Sequence, residues 1–374
     1  MTTAPAAAVR LYAVAVVTDL KRAYEALAAK QRPLSTLFDY YDGIQPLRYS
    51  ATRLAQAFAS LDASFSENWC ATVVDSLTDR LDLRGLTTDG AGQEQLDALW
   101  TAEQLAMQSD DVAEDVAVTG ESYVIVGRDS DGGVSVIHND PRVCCVFYDD
   151  ADPRRKAFAA KWYVAADAVG TSRRHMTLYY EDRFEHYTSN VAADHVSDAS
   201  AFVMDDGSPE MREDRGQIPV FHAQVRTRRQ YGQMQNALRI QDALNKTVAD
   251  MMVTAEYGAF RQRYVISQAD VSDLRNAPNE IWKIPAGDSE SEGTKVGQFE
   301  ASDLENYLKV IDHFANAMAR VTRTPAHFFF AVGAGVSGDA LIAAESPLAK
   351  NAAKYKERLD AFWSEVGVYA LELA

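Results

Sequence analysis

Residues Gln230 to Tyr257, QYGQMQNALRIQDALNKTVADMMVTAEY, hold one helical period from end to end. Met234, Leu238, Val248, Met251 and Ala255 fall on one stripe, no proline interrupts them, and Gly258 marks the end. At a rise of 1.5 Å per residue this predicts a rod about 40 Å long. A second long helix begins at Ser302 and Glu305, an S-x-x-E capping box in which each side chain satisfies the other residue's orphan backbone N–H. Its stripe is Leu304, Tyr307, Leu308, Ile311, Phe314, Ala315 and Met318, and Pro325 stops it by pushing the preceding residue out of helical geometry. Between the two helices lie short strand candidates, Tyr264-Val265-Ile266 and Ile281-Trp282-Lys283-Ile284, and an acidic loop with Asp288, Glu290 and Glu292. In a monomer such a helix pair is a protruding arm. In a ring it packs against its neighbours and lines a channel.

On the C-terminal side comes Ala326 to Gly338, aromatic and then glycine-rich. A last helix, bent or interrupted at Ser346-Pro347, runs to Leu373-Ala374 without a capping signal, which reads as a truncation. On the N-terminal side the first helical run is Thr18 to Lys30, with Leu20, Tyr24, Leu27 and Ala28 on one face and Pro33 ending it. Phe38 to Leu47 is rich in aromatic and turn residues. Further helical stretches are Ser64 to Leu81, with Asn68, Trp69, Val73, Val74, Leu77 and Leu81 on one face, and Gln93 to Asp115. From Val116 the period becomes two. Tyr123-Val124-Ile125-Val126, a turn at Asp129 to Gly133, and Val134 to Ile137 predict a hairpin. More strands are expected at Val143–Tyr148, Phe158–Val164, His175–Tyr180, Phe184–Tyr187 and Pro219–Val225, around an acidic loop from Ala192 to Gly216. The fold class is α+β, with an antiparallel sheet module in the middle third.

The chain has 374 residues, 37 Lys+Arg against 54 Asp+Glu and a formal charge of −17. That length predicts two or three structural units, and 47% hydrophobic residues are enough for a core. The acidic balance argues against holding nucleic acid by neutralising its phosphates. It does not argue against letting nucleic acid pass. Cys70, Cys144 and Cys145 make no disulfide framework and read as small buried hydrophobes in a reduced chain. The apolar patch Leu11 to Val17 is too short to span a bilayer, so a soluble protein is expected.

One motif matches a known pattern, Gly333-Ala-Gly335-Val-Ser-Gly338, a G-x-G-x-x-G. A dinucleotide site also needs a second parallel strand with an acidic residue at its end, and the chain after Gly338 reads as helix. The glycines suit a flexible loop better. The seven histidines show no metal spacing, and His138 and His222 sit on strand segments where a hydrogen-bonded structural role is the default. There is no nucleophile elbow and no P-loop. No catalytic residue, cofactor or metal is expected.

The chain resembles tailed-bacteriophage portal proteins of the siphophage type. The likeness is carried by FDYYDGIQPL (38–47), Asn68 to Gly85, GESYVIVG (120–127), Asp242 to Ile266 and TPAHFFFAVGAGVSGDALIAAESPL (324–348), in that order. The resemblance implies a portal fold: a wing at 1–229 with α/β character, stem helices at 230–257 and 302–324, and a small clip at 258–301. It further implies a tunnel loop at 325–338 and the start of a helical crown at 339–374. It also implies a ring of about twelve copies at a capsid vertex, closed by cyclic symmetry. Double-stranded DNA would pass through that ring in packaging and ejection. Terminase and a head–tail connector would dock on the clip, and major capsid and scaffolding proteins would be partners. The place is the virion, with assembly in the bacterial cytoplasm and no membrane involved.

Within that family plan an acidic lumen repels phosphate and lets DNA slide. Asp288, Glu290 and Glu292 either line it, at the docking end, or are a solvated loop. The tunnel loop offers His327, Phe328, Phe329 and Phe330 as bulk and Gly333, Gly335, Ser337 and Gly338 as mobility; alternatively the phenylalanines pack on a stem helix. Arg320 and Arg323 either touch phosphates or cap the helix carbonyls. Two other readings stay open: a nicotinamide enzyme built on GAGVSG, and a ring-forming capsid adaptor that carries no DNA.

Overall fold

The computed structural model describes residues 6–45, 67–167, 169–212, 216–225, 232–259, 263–266, 295–298, 303–330 and 337–374. Helix α1, Ala6–Tyr41, continues through Pro33 instead of stopping there. A proline inside a helix costs about 3 kcal/mol. Beyond it Leu34, Leu37 and Tyr40 are all buried, at roughly 1.5–3 kcal/mol each for such side chains, which outweighs that cost. The buried stripe of the preceding turns is Leu20, Ala23 and Leu27, and Ala28 faces water.

Helix α2, Trp69–Thr78, is shorter than the stretch expected to Leu81 and is capped by Asn68, half-buried, whose side chain accepts from the Ala71 N–H. Trp69, Val73, Val74 and Leu77 of its expected face are buried, as is Leu81 beyond its end. The single helix expected over Gln93 to Asp115 is two, α3 (Gln93–Ala102) and α4 (Leu105–Val118). Gln104 takes a left-handed backbone, φ +51°, and the turn it makes re-aims α4 so that Leu105, Val112 and Val116 reach the core.

Two antiparallel sheets follow. The predicted hairpin is β1 (Glu121–Arg128) and β2 (Val134–Asn139), in register at Tyr123↔Asn139 and Val126↔Val136. β9 (Val220–Gln224) pairs with the other edge of β1. The larger sheet has the order β3 (Cys144–Tyr148), β4 (Lys156–Ala166), β5 (Ser172–Tyr179), β6 (Arg183–Ala192), β7 (Phe202–Met204), with β8 (Glu210–Met211) also on β6. The segment read as a loop after Ala192 therefore carries two short strands. Val196 and Phe202 of this segment are buried on the sheet, while Val203 and Met211 are exposed, and the acidic residues around the short run AFVM (201–204) hid the strands from a pattern reading.

Helix α5 is Leu238–Ala259, preceded by a 3₁₀ turn at Met234–Asn236. With 22 residues it is about 33 Å long, shorter than the rod expected from the sequence. β10 (Arg263–Ile266) pairs antiparallel with β11 (Lys295–Gln298), a strand the sequence reading did not anticipate. The strand expected at Ile281–Ile284 lies outside the described residues, as does Ser302 of the capping box. Helix α6 is Glu305–Thr322, and Asp303 Oδ1 accepts from the Glu305 N–H at its start. Helix α7, Gly338–Leu373, runs through Pro347 without interruption.

One core joins these parts. Val73 and Leu77 of α2, Val112 and Val116 of α4, Val124 of β1, Leu244 and Val248 of α5, Ala315 and Met318 of α6, and Tyr355, Trp363 and Val366 of α7 share it. From Leu348 onward α7 is thus a core helix of the body. A second cluster seats Leu20, Ala23 and Leu27 of α1 on the larger sheet at Trp162, Met176 and Leu178.

Candidate functional site: the turn after the second long helix

The roots of α5 and α6 are fixed in the body by side-chain amides. Gln241 accepts from the Trp69 N–H at 3.1 Å and donates to Glu67 O at 2.5 Å and Asn245 Oδ1 at 2.9 Å. Asn245 donates to Gln45 Oε1 at 2.6 Å, and Gln45 donates to Tyr40 O and Asn68 Oδ1 at 2.9 and 3.0 Å. The Tyr40 hydroxyl donates to the buried carboxylate of Asp242. Three of the segments that carry the family likeness, at 38–47, from Asn68 and from Asp242, therefore meet in one buried polar network. Gln241 and Asn245 stand four apart on a helix that is apolar around them, and that pattern was the signal available in the sequence.

α6 is tied down at its other end. Gln233 donates through its backbone to Ala117 O at 2.7 Å and through its amide to Thr322 O, while Asn351 of α7 donates to Gln233 Oε1 at 2.9 Å. Beside it, the glycine at 232 sits so close to the Val118 carbonyl that any Cβ would collide with it. Near the far end of the pair, Thr254 Oγ1 and the Tyr307 hydroxyl are 3.0 Å apart, so α5 and α6 run antiparallel.

The turn itself begins where Thr322 donates from Oγ1 to Met318 O at 2.7 Å. Arg323 follows with φ +61° and ψ +24°, the left-handed C-cap geometry. Thr324 and Pro325 are buried, and Ala326–Phe328 form a 3₁₀ turn. The three phenylalanines then part company. Phe329 lies against Trp69 of α2, ring centroids 5.4 Å apart, and packs on the main core that α5 and α6 share. Phe328 stays 38% exposed and Phe330 39% exposed. Arg80 lies 5.8 Å from the Phe328 ring and pairs with Glu345 of α7 at 3.2 Å. His327 stacks on Phe328 and brings Nε2 to 3.5 Å from the same carboxylate. Arg80 and Glu345 were not singled out in the sequence and Trp69 was expected only on a core face, because all three come from other elements.

Ser337 is the N-cap of α7, its hydroxyl accepting from the Ala340 N–H at 3.3 Å, and Gly338 is the first residue of that helix. Gly333 and Gly335 lie outside the described residues, as do Asp288, Glu290 and Glu292. Arg320 donates from Nε to Asn316 O at 3.2 Å, the helix-carbonyl role. The turn therefore combines an anchored ring, two rings open to water and a cation–carboxylate brace, an arrangement suited to steric contact.

Several titratable groups away from the turn tie the elements together. Lys30 donates to Glu121 Oε1 at 3.1 Å and Cys144 O at 2.6 Å, joining α1 to both sheets. His138 and His222 are both hydrogen-bonded on strands, as their positions suggested. The three cysteines are free and buried, and burial pushes the Cys70 and Cys144 thiols up to about 12. Among the described residues no group of three or more His, Cys, Asp or Glu is placed to hold a metal ion, and no helix is long and apolar enough to cross a membrane.

An α+β body from which an antiparallel helix pair projects, returning through an aromatic turn to a core helix, defines a subunit of the portal class. Residues 24–374 match the family model for "Phage portal protein, SPP1 Gp6-like", and the chain belongs to that family of tailed-phage portal proteins. It is similar to a portal protein of Mycobacterium phage D29, 26% identical over 314 residues, covering 78% of this chain and 62% of that protein. The chain thus spans about three-fifths of that relative's length.

Proposed function

We propose that this chain is the ring-forming subunit of a capsid-vertex conduit for double-stranded DNA. The observation that carries the reading is the stripe of α6. Ala315 and Met318 are buried at its root, but Leu304 is 36% and Leu308 52% exposed. A stripe built to be covered and left uncovered in one copy calls for a neighbour. In this reading residues 1–229 are the wing, α5 and α6 the stem, and 258–301 the clip that docks terminase and connector. Residues 325–338 are the tunnel loop. The crown begins from 339 on α7, rooted in the wing through Tyr355 and Trp363.

Phe328 and Phe330 are the loop's exposed bulk, placed to press on passing DNA without reading its sequence. The formal charge of −17 keeps the conduit from holding its cargo. A nicotinamide enzyme has little support: every strand pairing among the described residues is antiparallel, and Ala326–Phe328 form a turn where that site needs a strand. Imaging and native mass of the purified chain test the ring. Closed rings of about twelve copies, on the order of 490 kDa for a 41.2 kDa chain, are expected. Phe328→Ala/Phe330→Ala should leave those rings intact and impair DNA packaging. Rings that package normally with both phenylalanines gone would sink the loop's role and favour a ring adaptor.

A further inference from the structure

A cavity of about 490 Å³ opens where the end of α6, the chain entering α5 and the middle of α7 meet. Its polar floor is already committed: Gln233, Thr322 and Asn351 are buried and hydrogen-bonded to one another. Its walls are different. Arg323, Lys354 and Arg358 line it against one carboxylate, Glu357. Among the described residues none of these three cations is held in an ion pair or a side-chain hydrogen bond. Lys354 and Arg358 stand four residues apart on one helix face, a spacing that destabilises a helix when the charges are alike.

Arg323 adds a second oddity. Its left-handed backbone is one that glycine adopts freely and an arginine adopts only at a cost, and what the arginine adds is a guanidinium on the cavity wall. The surrounding chain is strongly acidic, so a concave cluster of unpaired cations is a local reversal of sign.

We propose that this cavity is a binding site for a phosphate-class anion. Two guanidinium groups offer planar forks that match phosphate oxygens, and the lysine supplies a point charge. The cavity exceeds the size of one phosphate group, so a diester or a pyrophosphate fits with its flanking atoms. The site stands on its own geometry. If the phosphate comes from DNA, it deepens the conduit reading, giving each subunit one contact near the stem root in an otherwise repellent molecule.

The test titrates the full chain at low salt with inorganic pyrophosphate and, separately, with a short labelled DNA duplex. Arg323→Gly removes the guanidinium while relieving the backbone, so its fold should be at least as stable. Arg358→Gln removes the other fork, and Lys350→Gln, on α7 but off the cavity, is the control. Each cavity variant should weaken binding about tenfold, the worth of one charge-assisted hydrogen bond, and the control should bind as wild type. Binding of pyrophosphate alone supports the site with a free phosphate as ligand, and binding of the duplex supports a backbone phosphate. Absence of binding by either probe, or equal weakening in the control, overturns the proposal. So does loss of rings in Arg358→Gln without anion binding by wild type, since the cations would then be taking a neighbour's carboxylate. Binding is read in whatever oligomer the chain forms, so its failure leaves the conduit reading standing, and the reverse.

Discussion

His138 on β2 and His222 on β9 flank β1 from its two sides and should answer pH with opposite signs. His222 is almost fully buried, stacked on Tyr123, with the Tyr148 hydroxyl 3.2 Å from Nδ1 and Glu121 3.6 Å from Nε2. Burial lowers its pKa below 6.5 despite the Glu121 carboxylate. The unfolded chain then takes up the proton first, so stability is lost as pH falls below 6.5. For His138, burial also lowers the pKa, but the Asp115 carboxylate at 2.7 Å, with Asp111 and Asp140 nearby, outweighs it and the net shift is upward. Its contribution is complete below 6.5 and is lost as pH rises through the elevated folded pKa. Melting temperatures between about pH 5 and 9 check this. His222→Gln should flatten the acid limb and His138→Gln the alkaline limb, and an unchanged alkaline slope in the latter counts against the assignment. The strand positions of both histidines were legible in the sequence. Their partners were not, because Asp115 lies on helix α4 and Glu121 begins another strand. The glycine at 232 gives a sharper case: nothing in QYGQ marks it, yet alanine there meets the Val118 carbonyl. Gly232→Ala should lower the urea midpoint by the equivalent of about 1–3 kcal/mol, the usual cost of overpacking.

At the scale of elements, the fold rests on how α5 and α6 are rooted. Gln233 bridges Thr322 O on one side and Asn351 on the other, with both partners buried. Gln233→Leu leaves a carbonyl and an amide without their partner, at roughly 1–3 kcal/mol per buried group. Asn351→Leu should cost similarly, and the double variant less than the sum, with a coupling of about 0.5–3 kcal/mol for groups in contact. Additive losses in urea unfolding would mean that the bridge does not hold α6. Such polar roots explain where pattern reading succeeded and where it failed. The periods of α2, β1, β2 and α6 were plain because one face of each is continuously apolar. Pro33 and Pro347 misled because local backbone rules lose to several buried side chains beyond them. The break at Gln104 was invisible because nothing in LWTAEQLAM departs from a helical sequence. What sets that break is the direction in which Leu105 has to point.

For the whole molecule the two large quantities oppose each other. Each copy carries a formal charge of −17, which opposes association, and α6 carries a half-covered apolar stripe, which in the proposed ring draws copies together. The stripe from Leu304 to Met318 was readable as one continuous face. That only its root is buried was not readable, since the period is the same along its length and the cover comes from α5 and the 3₁₀ turn that enters it. The aromatic turn was read as one unit for the same reason, whereas Phe329 is fastened to Trp69 and its two neighbours are open. Leu308→Asp separates the opposing effects. In one copy the residue is 52% exposed, so the melting temperature of the unassembled chain should hardly move, surface changes being worth within about 0.5 kcal/mol. In a ring the same change places a carboxylate in every interface, and the cost is counted once per copy. Rings should therefore vanish from native mass spectra while the subunit stays folded. Added salt tells the two causes apart: screening should favour wild-type rings by relieving charge repulsion, yet leave Leu308→Asp unassembled, because salt cannot restore a lost apolar contact. Rings that survive in Leu308→Asp at low salt would place the interface elsewhere and remove the stripe of α6 from the account of assembly.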